Sequence, residues 1–251
     1  MTRRLVVCLD VKDGRVVKGT QFESLRDVGD PVELAERYEA DGADEIVYLD
    51  ISASAEARPT LLDLARRTAE RLFIPLTIGG GVRSSDDVAR ALRAGADKVG
   101  VNTAAVQHPE ILSECADRFG AQCVVASIDA KRSGDSWLVY THGGRERTSL
   151  DAVAWARECV SRGAGELLVT SIDRDGARSG YDIDLTAAIA DAVDVPVIAS
   201  GGAGTADHVA DAIALGHADA ALVAGILHEG VTTVRAIKSA LARRGVPVRA
   251  A

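Results

Sequence analysis

The chain has 251 residues, 47% of them apolar and 26% charged, and a formal net charge of −8. These values describe a globular chain that can bury a full core as one or two domains. The negative charge argues against a nucleic-acid or anionic-membrane partner. No apolar run reaches the roughly 20 residues that span a membrane, and the N-terminus begins a strand rather than a signal peptide, so we expect a cytoplasmic protein.

Eight short apolar runs, each followed by a helical pattern, succeed one another along the chain. The predicted strands are Leu5–Leu9, Glu45–Asp50, Leu76–Ile78, Lys98–Val101, Cys123–Ile128, Glu166–Ser171, Val197–Ser200 and Ala220–Ala224. The predicted helices include Pro31–Asp41, Leu61–Leu72, Ser85–Ala94, Pro109–Phe119 and Leu150–Arg162. This alternation predicts an α/β fold, a single-domain (β/α)8 TIM barrel over residues 1–251. An open doubly wound sheet is the alternative, but neither half has GxGxxG after its first strand.

Two further features refine this barrel. Residues Lys131–Thr148 are rich in glycine and charge, and we expect them to form a β-hairpin that leaves the fifth βα loop. The sequence also repeats itself, since IPLTIGGGVRSSDDVARAL from Ile74 matches VPVIASGGAGTADHVADAI from Val195. A duplicated strand–turn–helix block of this length predicts two half-barrels, about residues 1–121 and 122–251.

Each half ends its first strand in an aspartate, Asp10 in RLVVCLDVKDG and Asp129 in CVVASIDAKRSG. The active site of such a barrel lies at the C-terminal ends of its strands, where strands one and five are opposite each other. We expect roughly 10 Å between the two carboxylates, too far to share a proton, so each would serve one end of a substrate by acid–base chemistry. Helix capping or a loop hydrogen bond is the alternative for either residue alone. Lys18, in the predicted loop GRVVKGT, either reaches over the mouth or is solvated.

Glycine clusters follow strands three and seven and precede helix starts. They are Gly79–Gly81 and the pair Gly201 and Gly202, with Asn102 and Thr103 following strand four. Glycines at such turns let backbone N–H groups approach an anion, although a tight βα turn also requires them structurally. Loops seven and eight form the usual phosphate site of this fold, and the repeat predicts a second at loops three and four. The pattern therefore predicts a substrate with a phosphate at each end.

Charged residues also stand at the other ends of the strands. They are Arg4, Glu45, Lys98 and Glu166. Inward-facing charges there must pair, because an isolated buried ion is very costly, so a salt-bridge plug closing the barrel floor is the simplest interpretation.

Cysteine and histidine give no sign of a metal or cofactor. The four cysteines lack CxxC spacing and are expected to be buried reduced thiols, with Cys8 and Cys123 in mid-strand. No histidine ends a strand, so neither a metal centre nor a Ser–His–Asp triad is supported. We therefore expect no cofactor.

Several motifs together resemble one family over essentially the whole chain. They are CLDVKDGRVVKGT, GGGVRS, ADKVGVNTAAV, ASIDAKR, LLVTSIDRDGARSGYD and IASGGAG. They resemble the cyclase subunit of imidazole glycerol phosphate synthase, the HisF family of histidine biosynthesis. The resemblance implies a (β/α)8 barrel that condenses the two-phosphate phosphoribulosyl-formimino-aminoimidazole carboxamide ribonucleotide with ammonia. The products would be imidazole glycerol phosphate and aminoimidazole carboxamide ribonucleotide.

The resemblance also assigns roles to residues. Asp10 and Asp129 match the catalytic acid–base pair, and Lys18 matches a mobile first-loop lysine. One phosphate site is matched by Gly81, Asn102 and Thr103, and the other by Asp175, Gly176, Gly202 and Ala224. Gly225 departs from a serine expected in some relatives, which would remove one hydroxyl contact and leave the backbone donors.

A glutaminase subunit, implied by the same resemblance, would dock at the N-terminal barrel face as the other half of a heterodimer. Arg4, Glu45, Lys98 and Glu166 would then gate the ammonia path, with Asp97 a docking contact. Two other functions stay open. The sister isomerase of the pathway is also a duplicated barrel with two aspartates, and a phosphosugar-binding barrel without catalysis is the more remote alternative.

Overall fold

The computed structural model describes residues 2–20, 23–51 and 58–250. The described strands are β1 (Arg4–Lys12), β2 (Arg15–Thr20), β3 (Glu23–Gly29), β4 (Glu45–Asp50), β5 (Leu76–Gly79), β6 (Lys98–Val101), β7 (Val124–Ser133), β8 (Ser136–Thr141), β9 (Glu146–Asp151), β10 (Glu166–Ser171), β11 (Val197–Ser200) and β12 (Ala220–Val223). Eight of these, β1, β4, β5, β6, β7, β10, β11 and β12, pair in parallel with their neighbours, and the pairing of β12 with β1 closes the ring. The predicted (β/α)8 barrel is confirmed.

Helices cover the outside of this ring. They are α1 (Pro31–Ala40), α2 (Arg58–Ala69), α3 (Ser85–Arg93), α4 (Thr103–Gln107), α5 (Glu110–Phe119), α6 (Ala152–Ser161), α7 (Ile183–Ala190), α8 (Ala206–Ala214), α9 (Gly225–His228) and α10 (Val234–Arg243). The predicted starts of α1 and α3 are real N-caps, since Asp30 and Ser84 accept hydrogen bonds from first-turn N–H groups.

Two hairpins rise from the C-terminal ends of opposite barrel strands. The hairpin predicted over Lys131–Thr148 is confirmed as the end of β7 with β8 and β9. The prediction of a loop at GRVVKGT was wrong, because β2 pairs antiparallel with β1 and with β3. Asp13 and Gly14 both have positive φ, as the two central residues of a type I′ hairpin turn must.

Some predicted boundaries move at the ends of strands. Cys123 lies in a short 3₁₀ helix, Ala121–Cys123, and β7 begins at Val124, so its predicted mid-strand position was wrong. Its backbone N–H bonds to the Gly120 carbonyl instead of joining a strand ladder. Ala224 follows β12 and caps α9 rather than ending the strand.

The apolar side chains form two separate cores. The inner one fills the barrel and comprises Val6, Cys8, Val47, Val125, Leu168, Ile198, Ala220 and Leu222. The outer one lies between the strands and the helices. Alternate residues of a strand point to opposite faces, so the inner core fixes which residues face the barrel axis. All four cysteines are buried and free, and no described helix is long and apolar enough to cross a membrane.

Candidate active site at the barrel mouth

Asp10 and Asp129 lie where β1 and β7 reach the C-terminal edge of the barrel. Neither ends its strand as predicted, because both strands continue into the hairpins, to Lys12 and Ser133. Asp10 is two residues beyond the inward-facing Cys8, and Asp129 is four beyond the inward-facing Val125, so both carboxylates face the barrel axis. Both are partly exposed where the barrel opens. The sequence therefore placed both aspartates on the correct face and at the correct end of the barrel.

Burial dominates the electrostatics of Asp10. It raises the pKa of the Asp10 carboxyl to about 6, while the nearby Lys18 ammonium lowers this pKa and the Asp175 carboxylate raises it. The Cys8 thiol donates a hydrogen bond to Asp10 Oδ1 over 3.9 Å, which lowers the Asp10 pKa. Cys8 was treated only as a buried thiol, although its inward position two residues before Asp10 is readable from strand alternation.

The Asp129 carboxyl reaches a similar pKa through different contacts. Burial raises the pKa of Asp129 to about 6, and the hydrogen bond from Asn102 lowers it, with Asn102 Nδ2 2.8 Å from Asp129 Oδ2. Asn102 Oδ1 is buried and has no hydrogen-bond partner among the described residues. Buried acceptors of this kind usually have a donor, and the same amide group holds Asp129 through its Nδ2.

Asp175, after β10, is the third carboxyl of the mouth. Burial raises its pKa, and Lys18 lowers it. Its charge contributes to the raised pKa of both Asp10 and Asp129, so it lies near both carboxyls. Lys18 thus reaches over the mouth, which is one of the two positions expected for it.

The glycine turns after β5 and β11 have a conformation and spacing that require glycine. Gly80 has φ +91°, and a Cβ there would lie 2.3 Å from the Asp50 carbonyl oxygen. Gly202 has φ +107°, and its Cβ would lie 2.1 Å from the Gly180 carbonyl oxygen. Side chains are excluded sterically at both positions, because each glycine packs against the backbone of a neighbouring segment.

The two predicted anion sites lie beside different elements. In the group of Gly81, Asn102 and Thr103, Thr103 lies beside the β8–β9 hairpin, whose His142 N–H donates to Thr103 Oγ1 at 3.0 Å. Gly176 and Gly202 belong to neighbouring loops joined by the Gly180 N–H to Gly202 carbonyl bond of 2.9 Å.

Ala224 and Gly225, after β12, complete the second group. A Cβ on Gly225 would lie 3.0 Å from Lys18 Nζ, so the absence of a side chain makes room for the lysine. Arg178 and Glu229 form an ion pair at this position that sequence reasoning missed. The RDGAR loop and the glutamate just past α9 carry no motif that links them.

At the opposite end, the four predicted floor residues form one ion-pair network. Lys98 Nζ lies 2.9 Å from Glu45 and 2.7 Å from Glu166, and Arg4 bonds to both glutamates. The Glu45 side chain is 1% exposed and the Lys98 side chain 17%. The Thr77 hydroxyl donates to Glu45 at 2.6 Å, a contact that strand alternation could have suggested.

Asp97 lies next to this network on the N-terminal face. Its Oδ2 accepts the Leu76 N–H at 2.8 Å, which ties β5 to the start of β6. Asp219 makes the corresponding bond to Val197 and also pairs with Arg3. Asp97 is exposed and has no ion-pair partner within the described ranges.

Comparison with known proteins gives consistent matches. The model of a family described as "Histidine biosynthesis protein" matches residues 4–233. The chain is 74% identical over 249 residues to imidazole glycerol phosphate synthase subunit HisF of Myxococcus xanthus, covering 99% of this chain and 98% of that one. It is 59% identical to the subunit of the same name from Bacillus licheniformis and 58% identical to that from Geobacillus thermodenitrificans, each over 251 residues, 99% of this chain and all of the relative.

Proposed function

The chain belongs to the histidine biosynthesis protein family and, within it, to the HisF subunits of imidazole glycerol phosphate synthase, and from this premise we propose how it acts. As a cyclase subunit, it takes the phosphoribulosyl-formimino-aminoimidazole carboxamide ribonucleotide and ammonia. It releases imidazole glycerol phosphate, aminoimidazole carboxamide ribonucleotide and one water, which carries away the carbonyl oxygen that ammonia replaces. The reaction takes place at the mouth of the barrel, between β1 and β7.

Asp10 and Asp129 are the general acid and base of this reaction. Joining ammonia to a carbonyl carbon requires protons to leave nitrogen and to reach the departing oxygen. A carboxyl with a pKa of about 6 exchanges protons near neutral pH far better than one near 4. This pair of raised pKa values, on side chains facing one mouth from β1 and β7, is the observation that carries the proposal. Lys18 supplies a positive charge beside Asp10.

The two anion sites hold the two phosphates of the substrate. Gly81, Asn102 and Thr103 receive one phosphate, and the loops after β10, β11 and β12 receive the other. The second site comprises Asp175, Gly176, Gly202, Ala224 and Gly225. The exposed backbone at Gly176 and the Lys18 charge beside Gly225 support binding of an anion there. Binding at both ends would place the reacting carbons between the aspartates.

The direct test is to incubate the purified chain with the two-phosphate ribonucleotide and an ammonium salt. We expect the substrate absorbance to fall only when ammonium is present. The sister isomerase performs an internal rearrangement that consumes no ammonia, so turnover of its own substrate without ammonium would favour that alternative. Binding without any turnover would favour a phosphosugar-binding barrel.

A glutaminase subunit docks at the N-terminal face, and ammonia passes through the barrel to the mouth. The relatives are named as subunits, which supports a complex with another chain. Arg4, Glu45, Lys98 and Glu166 form the gate on this path. Asp97 contacts the partner, which is supported by its exposure beside the floor and by its having no ion-pair partner among the described residues. The four free thiols suit a cytoplasmic location.

Substitution of Lys98 distinguishes the two interpretations of the floor network, an ammonia gate and a salt-bridge plug. Lys98→Ala leaves two glutamates short of a cation, and breaking a buried pair costs up to about 3–5 kcal/mol in either case. A gate should also lower cyclisation driven by glutamine and the glutaminase more than cyclisation driven by added ammonium. Lys238→Ala is the matched control, because Lys238 forms a buried ion pair with Asp44 at 2.7 Å outside the inner core. Equal losses of both activities in Lys98→Ala would leave the plug interpretation standing.

A further inference from the structure

Arg178 occupies a constrained position in the loop after β10. Its φ of 56° is in the left-handed region, which is unfavourable for a residue other than glycine. Neighbouring backbone holds it there, since a Cβ on Gly204 would lie 2.1 Å from the Arg178 carbonyl oxygen. The loop after β11 therefore packs directly on Arg178 and fixes where its side chain starts.

The Arg178 guanidinium lies over the second anion site together with Lys18. Measured from the position that a Cβ on Gly225 would occupy, Arg178 Nη2 lies at 3.8 Å and Lys18 Nζ at 3.0 Å. Two cations from different loops thus converge on the same short stretch of backbone after β12. Like charges this close repel each other, so an anion between them is favoured.

Glu229 supplies an anion at this position. Its carboxylate pairs with Arg178 at 2.5 Å, and the hydrogen bond from Arg178 lowers the Glu229 pKa, with Lys18 and Arg26 contributing in the same direction. Both side chains of the pair are partly exposed, 41% for Arg178 and 30% for Glu229, so the pair is weak enough to exchange partners.

The backbone next to Glu229 is held while its side chain reaches into solvent. The preceding His228 is largely buried, with Nδ1 2.7 Å from the Tyr38 hydroxyl and Nε2 3.0 Å from the Cys8 carbonyl oxygen. A carbonyl only accepts, so Nε2 donates and Nδ1 accepts from Tyr38. The Glu229 carboxylate can therefore leave Arg178 by side-chain rotation, without moving α9.

We propose that Arg178 is a further phosphate ligand of the site formed by the loops after β10, β11 and β12, and that Glu229 competes with the phosphate for it. This rests on the proposed function, which places a substrate phosphate there. A phosphate carries more charge than a carboxylate and accepts both N–H groups of the guanidinium fork, so it displaces Glu229. Glu229 thereby sets the affinity for substrate without touching the reacting atoms.

Three variants test this through the KM for the two-phosphate substrate with saturating ammonium. Arg178→Gln should raise KM at least about tenfold, the loss expected for hydrogen bonds to a charged group, with a smaller effect on kcat. Glu229→Gln should lower KM about two- to fivefold, the range of a partly exposed ion pair. In the double variant the Glu229 substitution should have no further effect. Arg66→Gln, which removes an exposed arginine paired with Asp63 on α2, controls for net charge.

Titration with inorganic phosphate separates this proposal from the proposed function. If the wild-type chain does not turn over the ribonucleotide, the proposed function fails, and the phosphate affinity of the variants still tests Arg178. An unchanged phosphate affinity and KM in Arg178→Gln would overturn the role of Arg178. A raised KM in Glu229→Gln would overturn the proposal that Glu229 competes with the phosphate. So would an equal effect of Glu229→Gln on KM in the wild-type chain and in Arg178→Gln.

Discussion

Removing either mouth aspartate should make the protein more stable while abolishing most of its activity. Burial raises the pKa of Asp10 and Asp129 from 3.8 to about 6. Between pH 4 and 6 the folded chain therefore binds protons that the unfolded chain has released, and stability falls as pH rises through this window. Above pH 6 each carboxyl is ionised in the folded chain, so the full free-energy cost of burying its charge is present. At about 1.4 kcal/mol per pKa unit, each ionised carboxylate destabilises the fold by up to about 3 kcal/mol.

The Asp10→Asn and Asp129→Asn substitutions keep the size of the side chain and remove this charge. In urea denaturation at pH 8 each variant should gain roughly 1–3 kcal/mol, and most of the gain should disappear at pH 4. Turnover should fall at least about 10²-fold, with substrate binding largely retained. Asp135→Asn, in the exposed turn between β7 and β8, is the control. Unchanged or lower stability of both variants at pH 8 would refute the argument from burial, and near-normal turnover would refute the acid–base roles.

Three further predictions concern the mouth of the barrel. Lys18→Met removes the charge that lowers the Asp10 pKa, so that pKa should rise above about 6 and the acidic limb of the kcat/KM profile should move to higher pH. Gly202→Ala places a Cβ 2.1 Å from the Gly180 carbonyl oxygen and should lower thermal stability clearly more than Gly134→Ala, which meets open space and costs roughly 1 kcal/mol. Crystals soaked in phosphate should show two anions, one at each glycine-lined site, and a single anion at high concentration would count against a two-phosphate substrate.

The sequence allowed the barrel and its floor to be predicted because both depend on local periodicity. Strand alternation places Arg4, Glu45, Lys98 and Glu166 at strand starts facing inward, and burial then forces them to pair. The hairpin after β1 was missed although Asp13-Gly14, between two runs of apolar and charged residues, is a recognised type I′ signal. The motif was attributed to a catalytic loop, and the turn chemistry within it was overlooked.

Contacts between distant loops were beyond prediction. Arg178 and Glu229 are 51 positions apart in the numbering, and the loops after β10 and β12 come together because β11 pairs with both strands. The raised pKa of Asp129 depends likewise on how deeply β7 is covered, which no local pattern reports. Periodicity gives the direction in which a side chain points, whereas depth and partners follow from packing of the whole barrel.

The floor charges determine how another molecule can approach them. The two glutamates occupy corresponding positions in the two halves. Glu45 pairs with Val6 on the first strand of one half, and Glu166 pairs with Val125 on the first strand of the other. Neither cation has a charged counterpart in the second half. The position of Arg4 is taken there by Cys123, and the position of Lys98 by Ala220. A floor with full twofold symmetry would present the same face after a half-turn and accept a partner in two orientations. Cations on one half alone make those orientations unequal, so a partner that docks at this end, as proposed above, would meet a single favoured direction.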